Sequence, residues 1–313
     1  MKTFLSDEGL SEVIGFILLI GILVIFLVMY QTYSVPVQGR DDEIGHMNDI
    51  KNTFVVYKIS LDSLWMNERE GTMLSTTMDL GTGGGYSRGG AGEISLLAPV
   101  TSSGSVGLNK RDETIINVTG IKFNGDRFTY ADFNPGALEY QSNNNYWIDQ
   151  NYYYQLGGVF LEQDSGSTVR VMPPLNIVNI SADPTGSLNN NWTAGFDFTI
   201  IRLFNEELIS GTGPVRIDTN LKVNGFSEEE PEVFQIVSVS VKSDDTNTLR
   251  MWEKLFRDSL VRYNIDETWY TITNDNDEVV TLNVMGNPSH GVHTNIIRAN
   301  YLVTLQTVAT GIE

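Results

Sequence analysis

The chain of 313 residues contains no cysteine and only three histidines. It therefore forms no disulfide or thiolate metal site and has no cysteine nucleophile. Because secreted eukaryotic domains commonly carry disulfides, an exported chain without cysteine favours a prokaryotic cell surface. Basic residues are also scarce, since 20 Lys and Arg stand against 39 Asp and Glu, a formal net charge of −19. Phosphate binding needs a basic face, so a general nucleic-acid role is excluded.

The longest apolar run, Val13–Tyr30, has no charged or amide side chain. As a helix it would extend ~27 Å, close to the ~30 Å hydrocarbon core of a bilayer. Gly15 and Gly21 interrupt it, and small residues in membrane helices often mark close helix contacts. No A-x-A-like site follows, so we expect the run to be retained rather than cleaved as a secretory signal. We predict a transmembrane helix, with a buried helix of a soluble protein as the less favoured alternative.

The residues that begin this run, Gly9-Leu10-Ser11-Glu12-Val13-Ile14-Gly15, resemble the N-terminus of archaeal type IV pilins and pilin-like proteins. That family has a short leader, then S-[PE]-V-I-G, then a hydrophobic helix. The resemblance implies that a prepilin-type peptidase cuts near Gly9 and Leu10, on the cytoplasmic side. It also implies that the helix anchors the subunit in the lipid bilayer or packs with other pilin-like subunits in a filament. Asp7-Glu8 depart from the pattern, because family leaders usually place a basic residue there.

The charges that flank the helix leave two questions open. Glu12 would pair with a neighbour's new N-terminal amine in a filament, or it is a solvated charge among the lipid headgroups. The positive-inside rule compares the numbers of basic residues on the two sides of the membrane. Each flank has one, Lys2 and Arg40, so the rule does not decide the orientation. A short N-terminal tail is more easily retained in the cytoplasm than a long polar chain. We therefore predict a single pass through the cell membrane, with the N-terminus cytoplasmic and the C-terminal domain extracellular.

We divide the chain into a leader (1–9), a hydrophobic membrane or filament-core helix (10–34), an amphipathic helix (41–66), a glycine-rich loop (71–92) and a β-rich extracellular domain (93–313). Pro36 and Gly39 predict that the first helix bends or stops within 31–41. The acidic run Asp41–Glu43 suits the first turn of the second helix. Apolar residues then recur at three- and four-residue steps, at Ile44, Met47, Ile50, Phe54, Tyr57, Leu61 and Leu64. This stripe is expected to pack on the β domain or, alternatively, on a partner subunit.

Many short β-favouring runs between turn residues predict a mainly antiparallel, sandwich-like domain, so the fold class is α+β. The runs are Glu93–Leu97, Thr114–Val118, Gly120–Phe123, Gly157–Glu162, Thr168–Met172, Asn176–Ile180, Phe196–Phe204, Val215–Val223, Val233–Val241, Val279–Val284 and Ile296–Val308. One helix is predicted among them at Thr246–Tyr263, with Asp244-Asp245 as its start signal, and it would cover a sheet face.

A tyrosine-rich segment within 138–175 is loosely similar to the ectodomains of archaeal pilin-like proteins. Three interpretations stay open: packing inside the domain, a subunit contact, or a surface on which sugars stack. The aromatic residues concerned are Tyr140, Tyr146, Trp147, Tyr152, Tyr153 and Tyr154.

Other motifs give no catalytic, cofactor or metal site. Ser87 lies in a formal G-x-S-x-G, but the glycines around it leave no strand or helix for a nucleophile elbow. His290 and His293 lack a third metal ligand at a suitable spacing. The segment Asn274–Glu278 lacks the glycine and distant glutamate of an EF-hand, and a hairpin turn is favoured. The N-x-[ST] sequons, candidate N-glycosylation sites in an exported domain, are at Asn117, Asn179 and Asn191.

These observations predict a structural, pilin-like cell-surface protein that is not an enzyme and needs no cofactor. A membrane-tethered module that binds carbohydrate or an S-layer partner through the tyrosine-rich segment is the alternative. A tethered hydrolase is the least favoured.

Overall fold

The computed structural model describes residues 8–83, 97–109, 114–164, 166–181, 192–230, 232–263, 265–276, 278–286 and 291–308. The helices are α1 (Glu8–Met29), a π-helical turn (Tyr30–Ser34), α2 (Val35–Met66), α3 (Thr246–Arg262) and a 3₁₀ turn (Glu267–Trp269). The strands are β1 Met73–Asp79, β2 Ser103–Leu108, β3 Ile115–Ile121, β4 Arg127–Phe133, β5 Leu138–Asn143, β6 Asn151–Gln155, β7 Gly158–Gln163, β8 Gly166–Val171, β9 Leu175–Ser181, β10 Trp192–Phe204, β11 Glu207–Gly211, β12 Pro214–Glu228, β13 Glu232–Phe234, β14 Ile236–Lys242, β15 Tyr270–Asp275, β16 Val279–Met285 and β17 Val292–Thr307.

The strands form three sheets. Sheet A has the order β1-β12-β17-β10-β9, with β13 also paired to β17. Sheet B has the order β11-β2-β5-β6-β7-β8, and sheet C has the order β15-β16-β14-β3-β4. Within the described residues the pairings are antiparallel except that of β10 with β17. The chain is thus α+β with a mostly antiparallel β-rich domain, as predicted.

Two hydrophobic cores lie on opposite faces of sheet A. One is shared with sheet C and α3, and Phe196, Phe234 and Trp252 are among its fully buried side chains. The other joins sheets A and B to α2. The predicted helix at Thr246–Tyr263 is confirmed as α3, which packs on strands of sheets B, A and C and is capped by Asp245.

The apolar stripe of α2 is buried in the second core, so it packs on the β domain of its own chain. Phe54, Tyr57 and Leu61 have 1%, 1% and 0% of their surface exposed. Each buried side chain of this size contributes about 1.5–3 kcal/mol relative to exposure. Six of the seven residues predicted for the stripe are buried; Ile44 alone is half-buried.

The helix does not stop within 31–41, the region for which we predicted a bend or a stop. One helix runs from α1 through the π turn into α2, so Asp41–Glu43 lie in its interior rather than in a first turn. Its portion Glu12–Met66 has 55 residues, an axial length of ~80 Å at about 1.5 Å per residue.

The β region also departs from prediction in detail. Met73–Asp79, placed in the glycine-rich loop, is strand β1 at the edge of sheet A. The run Val233–Val241 is two strands in different sheets, β13 and β14. Residues 84–96 lie outside the described residues, so nothing tests the last part of the predicted glycine-rich loop or the run Glu93–Leu97 apart from its last residue.

Candidate functional site

The apolar surface of α1 is the most unusual surface that the structure describes. Between Val13 and Met29 the large side chains point into open space, with exposed fractions of 64% for Phe16, 69% for Ile22 and 68% for Phe26. None of the most apolar 18-residue window is buried. By length and composition this helix can cross a membrane. So large an apolar surface is unstable in water unless lipid or protein covers it.

A π-helical turn joins α1 to α2 and accommodates a proline. Pro36 has no N–H to donate, and inside an α-helix its ring would clash with the carbonyl four residues earlier. Here the Val35 N–H donates to the Tyr30 carbonyl, an i to i+5 bond that widens the helix before the proline. The Thr32 hydroxyl also donates to the Val28 carbonyl at 2.8 Å. The helix therefore continues where sequence alone predicts a bend or an end.

Two tyrosines stand at this turn, where the apolar surface ends. Tyr33 is 70% exposed, and the Tyr30 hydroxyl accepts a hydrogen bond from Gln38 at 3.3 Å. Aromatic residues with a polar tip are typical of the membrane–water interface.

Just beyond the turn, the buried carboxylate of Glu43 fastens the helix to the loop between β5 and β6. Its oxygens accept backbone N–H bonds from Asn145 at 2.7 Å, Tyr146 at 2.8 Å and Trp147 at 2.7 Å. Glu43 is only 1% exposed. Hydrogen bonds to an ionised acceptor are roughly twice as strong as neutral ones, and here they hold the loop against the helix.

Gly39 lets the same loop approach the helix closely. A Cβ atom at this position would lie 2.3 Å from Cδ2 of the Tyr146 ring. That ring is held at its far end, where its hydroxyl accepts the Val100 N–H at 3.1 Å. The sequence shows only a glycine and a glutamate in a helical stretch, so neither role could be read from it.

Further along, polar contacts tie α2 into the second core. The Tyr57 hydroxyl bonds to the Thr219 hydroxyl at 2.8 Å, and the Tyr301 hydroxyl donates to the Leu61 carbonyl at 2.7 Å. Burial raises the pKa of Tyr57, so the phenol stays protonated. The helix and β domain are therefore joined along most of α2.

His46 completes this attachment near the end of α2 that adjoins the π turn. Its Nε2 lies 3.1 Å from the Tyr140 hydroxyl, which itself donates to the Leu80 carbonyl at 2.8 Å. Burial lowers the pKa of His46, although Asp79 and other carboxylates oppose the shift. The imidazole is therefore neutral near pH 7 and needs no counter-ion there.

The residues predicted for processing and helix contact all lie on α1. Gly9 and Leu10 are in its first turn. Glu12 is exposed. A Cβ atom added at Gly15 or Gly21 would have nothing within 4 Å, so another helix could approach there.

Of the predicted glycosylation sites, Asn117 is half-buried in strand β3 and Asn179 belongs to β9. Asn191 lies outside the described residues.

The tyrosine-rich segment is mainly core. Tyr140, Tyr153 and Tyr154 are fully buried, and Tyr152 is 3% exposed. Only Trp147 of the six aromatic residues is exposed, at 37%. The packing interpretation is therefore correct for the four buried tyrosines, which present no ring face to a sugar.

The remaining motifs form no site among the residues that the structure describes. Ser87 and His290 lie outside the described residues, and His293 is exposed on β17. Strands β15 and β16 form the predicted hairpin around Asn276. In the part of the chain that the structure describes, His, Asp and Glu form no group of three that could hold a metal ion.

No protein-family model, curated protein or solved structure matches this chain.

Proposed function

We propose that the chain is a structural cell-surface protein of the archaeal type IV pilin-like kind. Its helix α1 sits in the lipid bilayer or among the helices of sister subunits, and the acidic β-rich domain faces outward. The observation that carries the proposal is the contrast along one continuous helix: α1 is exposed and apolar, whereas the stripe of α2 is buried in the domain.

In this proposal the protein crosses the cell membrane once, with its N-terminus cytoplasmic and its C-terminal domain extracellular. A prepilin-type peptidase removes the leader near Gly9 and Leu10. Glycans on one or more of Asn117, Asn179 and Asn191 are compatible with an exported domain. The protein needs no cofactor and performs no catalysis.

The attachment of helix to domain supports a mechanical role. The hydrogen bonds that Glu43 accepts from the β5–β6 loop join α2 to sheet B, and the bond between Tyr57 and Thr219 joins it to strand β12 of sheet A. A force on the anchored helix would therefore pass directly into the β sheets rather than into a flexible linker. The helical backbone is also unbroken between Met29 and Val35, so no flexible linker separates α1 from α2.

The test is to express the full chain in an archaeal host and extract its membranes at alkaline pH. We expect the protein to stay in the membrane fraction and to dissolve only in detergent. N-terminal sequencing of the mature protein should begin at Leu10, and imaging of the cell surface shows whether it forms filaments. A full-length, uncut protein that is freely soluble without detergent would contradict the proposal.

A further inference from the structure

Sheet A has an open, polar region on the side opposite α2. Along β17, Tyr301 and Val303 point into the core beneath α2, so the alternating residues Asn300 and Leu302 point the other way. Sheet C covers the first part of this side, where Ile296 is buried. Beyond sheet C the side is uncovered, and we call this region the open face; its central residues are Arg202, Phe204, Lys222, Asn300 and Leu302.

Two adjacent clefts lie on the open face. The first, of about 310 Å³, lies between the edge strand β4 and sheet A, and Phe133, Arg202 and Asn300 contribute to its walls. The second, of about 390 Å³, is lined by Lys222 and Leu302 among others. Ligand pockets typically begin at about 300 Å³. Two such clefts side by side suit a short chain of rings better than one compact molecule.

A row of cations and aromatic rings connects the two clefts. The Arg202 guanidinium carbon lies 4.5 Å from the ring centres of both Phe133 and Phe204. The Lys222 ammonium lies 4.1 Å from the centre of the Phe204 ring. Cation–π contacts hold both charges in place without neutralising them.

Neither of these two cations has a carboxylate partner among the described residues. Their basic neighbours do, because Arg298 pairs with Glu229 and Arg216 with Asp218. In a chain with nearly twice as many acidic as basic residues, two adjacent basic side chains without a partner are unexpected. They keep their hydrogen-bond donors available for an external anion.

The carboxylates near the open face limit where an anion can bind. Asp132 lines the first cleft beside β4. Asp218 lines the second, but it is only 6% exposed, and Ser75 and Arg216 occupy its oxygens. The basic side chains of the open face that are not paired with a described carboxylate are therefore Arg202 and Lys222, between the clefts.

The rest of the open face offers amide, hydroxyl and aliphatic groups. Asn220, Asn300 and Thr304 line the clefts. Met73 is 65% exposed and Leu302 43% exposed in the second cleft. Amides and hydroxyls pair with sugar hydroxyls, and exposed aliphatic groups can support the C–H face of a sugar ring.

We propose that the open face binds an acidic oligosaccharide. A sugar carboxylate accepts hydrogen bonds from Arg202 and Lys222, and the neighbouring rings occupy the two clefts. A nucleic acid fits less well, because its bases need free ring faces and the Phe204 ring is already engaged by cations. This inference does not depend on membrane anchoring, so the two proposals can fail separately.

The test measures binding of tetragalacturonate to the full chain in detergent micelles by titration calorimetry. Two further probes separate the sources of affinity: the methyl-esterified tetrasaccharide keeps the rings without the charge, and tetraglutamate keeps the carboxylates without the rings. We expect the acidic saccharide to bind at least about tenfold more tightly than either, because only it engages both parts of the site.

Arg202→Gln and Lys222→Gln should each weaken tetragalacturonate binding by about tenfold, the loss of a charge-assisted contact. Arg250→Gln and Lys254→Gln are the matched controls, since both residues are exposed on α3, and these variants should bind as the original chain does. Lys222 is itself exposed, so its variant keeps the test valid should Arg202→Gln fail to fold.

With the original chain, three results would overturn the proposal: no binding of tetragalacturonate at millimolar concentration, equal binding of the methyl ester, and equal binding of tetraglutamate. Unchanged affinity in both the Arg202 and the Lys222 variants would also overturn it, because the saccharide would then bind elsewhere.

Discussion

Two glycines on the same helix differ in what surrounds them, and this difference gives a matched test. Gly39 meets the ring of Tyr146, whereas nothing lies within 4 Å of a Cβ at Gly45. Gly39→Ala should destabilise the protein by about 1–3 kcal/mol, the usual cost of overpacking. Gly45→Ala should stabilise it by about 1 kcal/mol, because alanine favours a helix. Denaturant unfolding in micelles measures both, and equal shifts would show that the β5–β6 loop does not pack as described.

His46 makes stability depend on pH in a predictable direction. Burial lowers its pKa in the folded protein below the value near 6.5 of an unfolded chain. The unfolded chain therefore binds the proton first, so this contribution to stability is complete above about pH 6.5 and is lost as the pH falls towards the folded pKa.

We expect His46→Gln to flatten the dependence of the unfolding free energy on pH between pH 7 and 5. His293→Gln removes an exposed imidazole, and comparing the two variants separates the effect of burying His46 from that of losing a histidine. A slope that survives in the His46 variant would show that other groups cause it.

Residue roles were the part of the site least predictable from sequence. Glu43 is one of three consecutive acidic residues and has no local mark that separates it from Asp41 and Asp42. Its role comes from backbone N–H groups a hundred residues later, so only the folded chain reveals it. The burial of Tyr152–Tyr154 was easier to predict, since large rings are usually buried.

At the scale of the element, the long helix shows how a local rule can fail. Proline interrupts an α-helix because it removes a donor and crowds the preceding turn. With the π turn before Pro36 the helical backbone continues past the proline, at the expense of one irregular turn. Apolar composition predicted α1, and the three- and four-residue repeat predicted the buried stripe of α2. That α1 and α2 form one continuous helix could not be predicted, because it depends on hydrogen bonds that no pattern in the sequence specifies.

A charge in the middle of α1 tests what surrounds that helix. Leu19 is 63% exposed, and replacing it by arginine should cost about 2.5–3.5 kcal/mol of membrane insertion. Val56, 57% exposed on α2, provides the control, because an exposed position outside the membrane tolerates arginine within about 0.5 kcal/mol.

The measurement is the fraction of protein in membranes after alkaline extraction. We expect Leu19→Arg to shift protein out of the membrane fraction and Val56→Arg to leave it there. Equal membrane fractions for both variants would mean that α1 is not surrounded by lipid.

At the scale of the whole molecule, the order of strands in the sheets could not be predicted from the sequence. β-Favouring runs between turn residues predicted most of β14 and much of β10 and β17 as strands, but β17 pairs in parallel with β10 and antiparallel with β12. Such strand pairings are determined by packing between segments that are distant in the sequence. The same packing places α2 against sheets A and B, which makes the helix part of the domain rather than a stalk beneath it.

Two truncations test this division of the long helix. Without residues 1–34 the chain loses its exposed apolar surface but keeps α2, so it should remain folded and soluble without detergent. Without residues 1–66 it also loses Phe54, Tyr57 and Leu61 from the second core. Removing each such side chain costs about 2–5 kcal/mol. The three losses together are comparable to the ~5–15 kcal/mol that stabilises a domain.

We therefore expect the shorter truncation to give a cooperative unfolding transition and the longer one to aggregate or to show none. Circular dichroism and analytical ultracentrifugation measure these outcomes. A folded, soluble product from residue 67 onward would show that α2 is dispensable, and the boundary between anchor and domain would then lie at Met66 rather than at Val35.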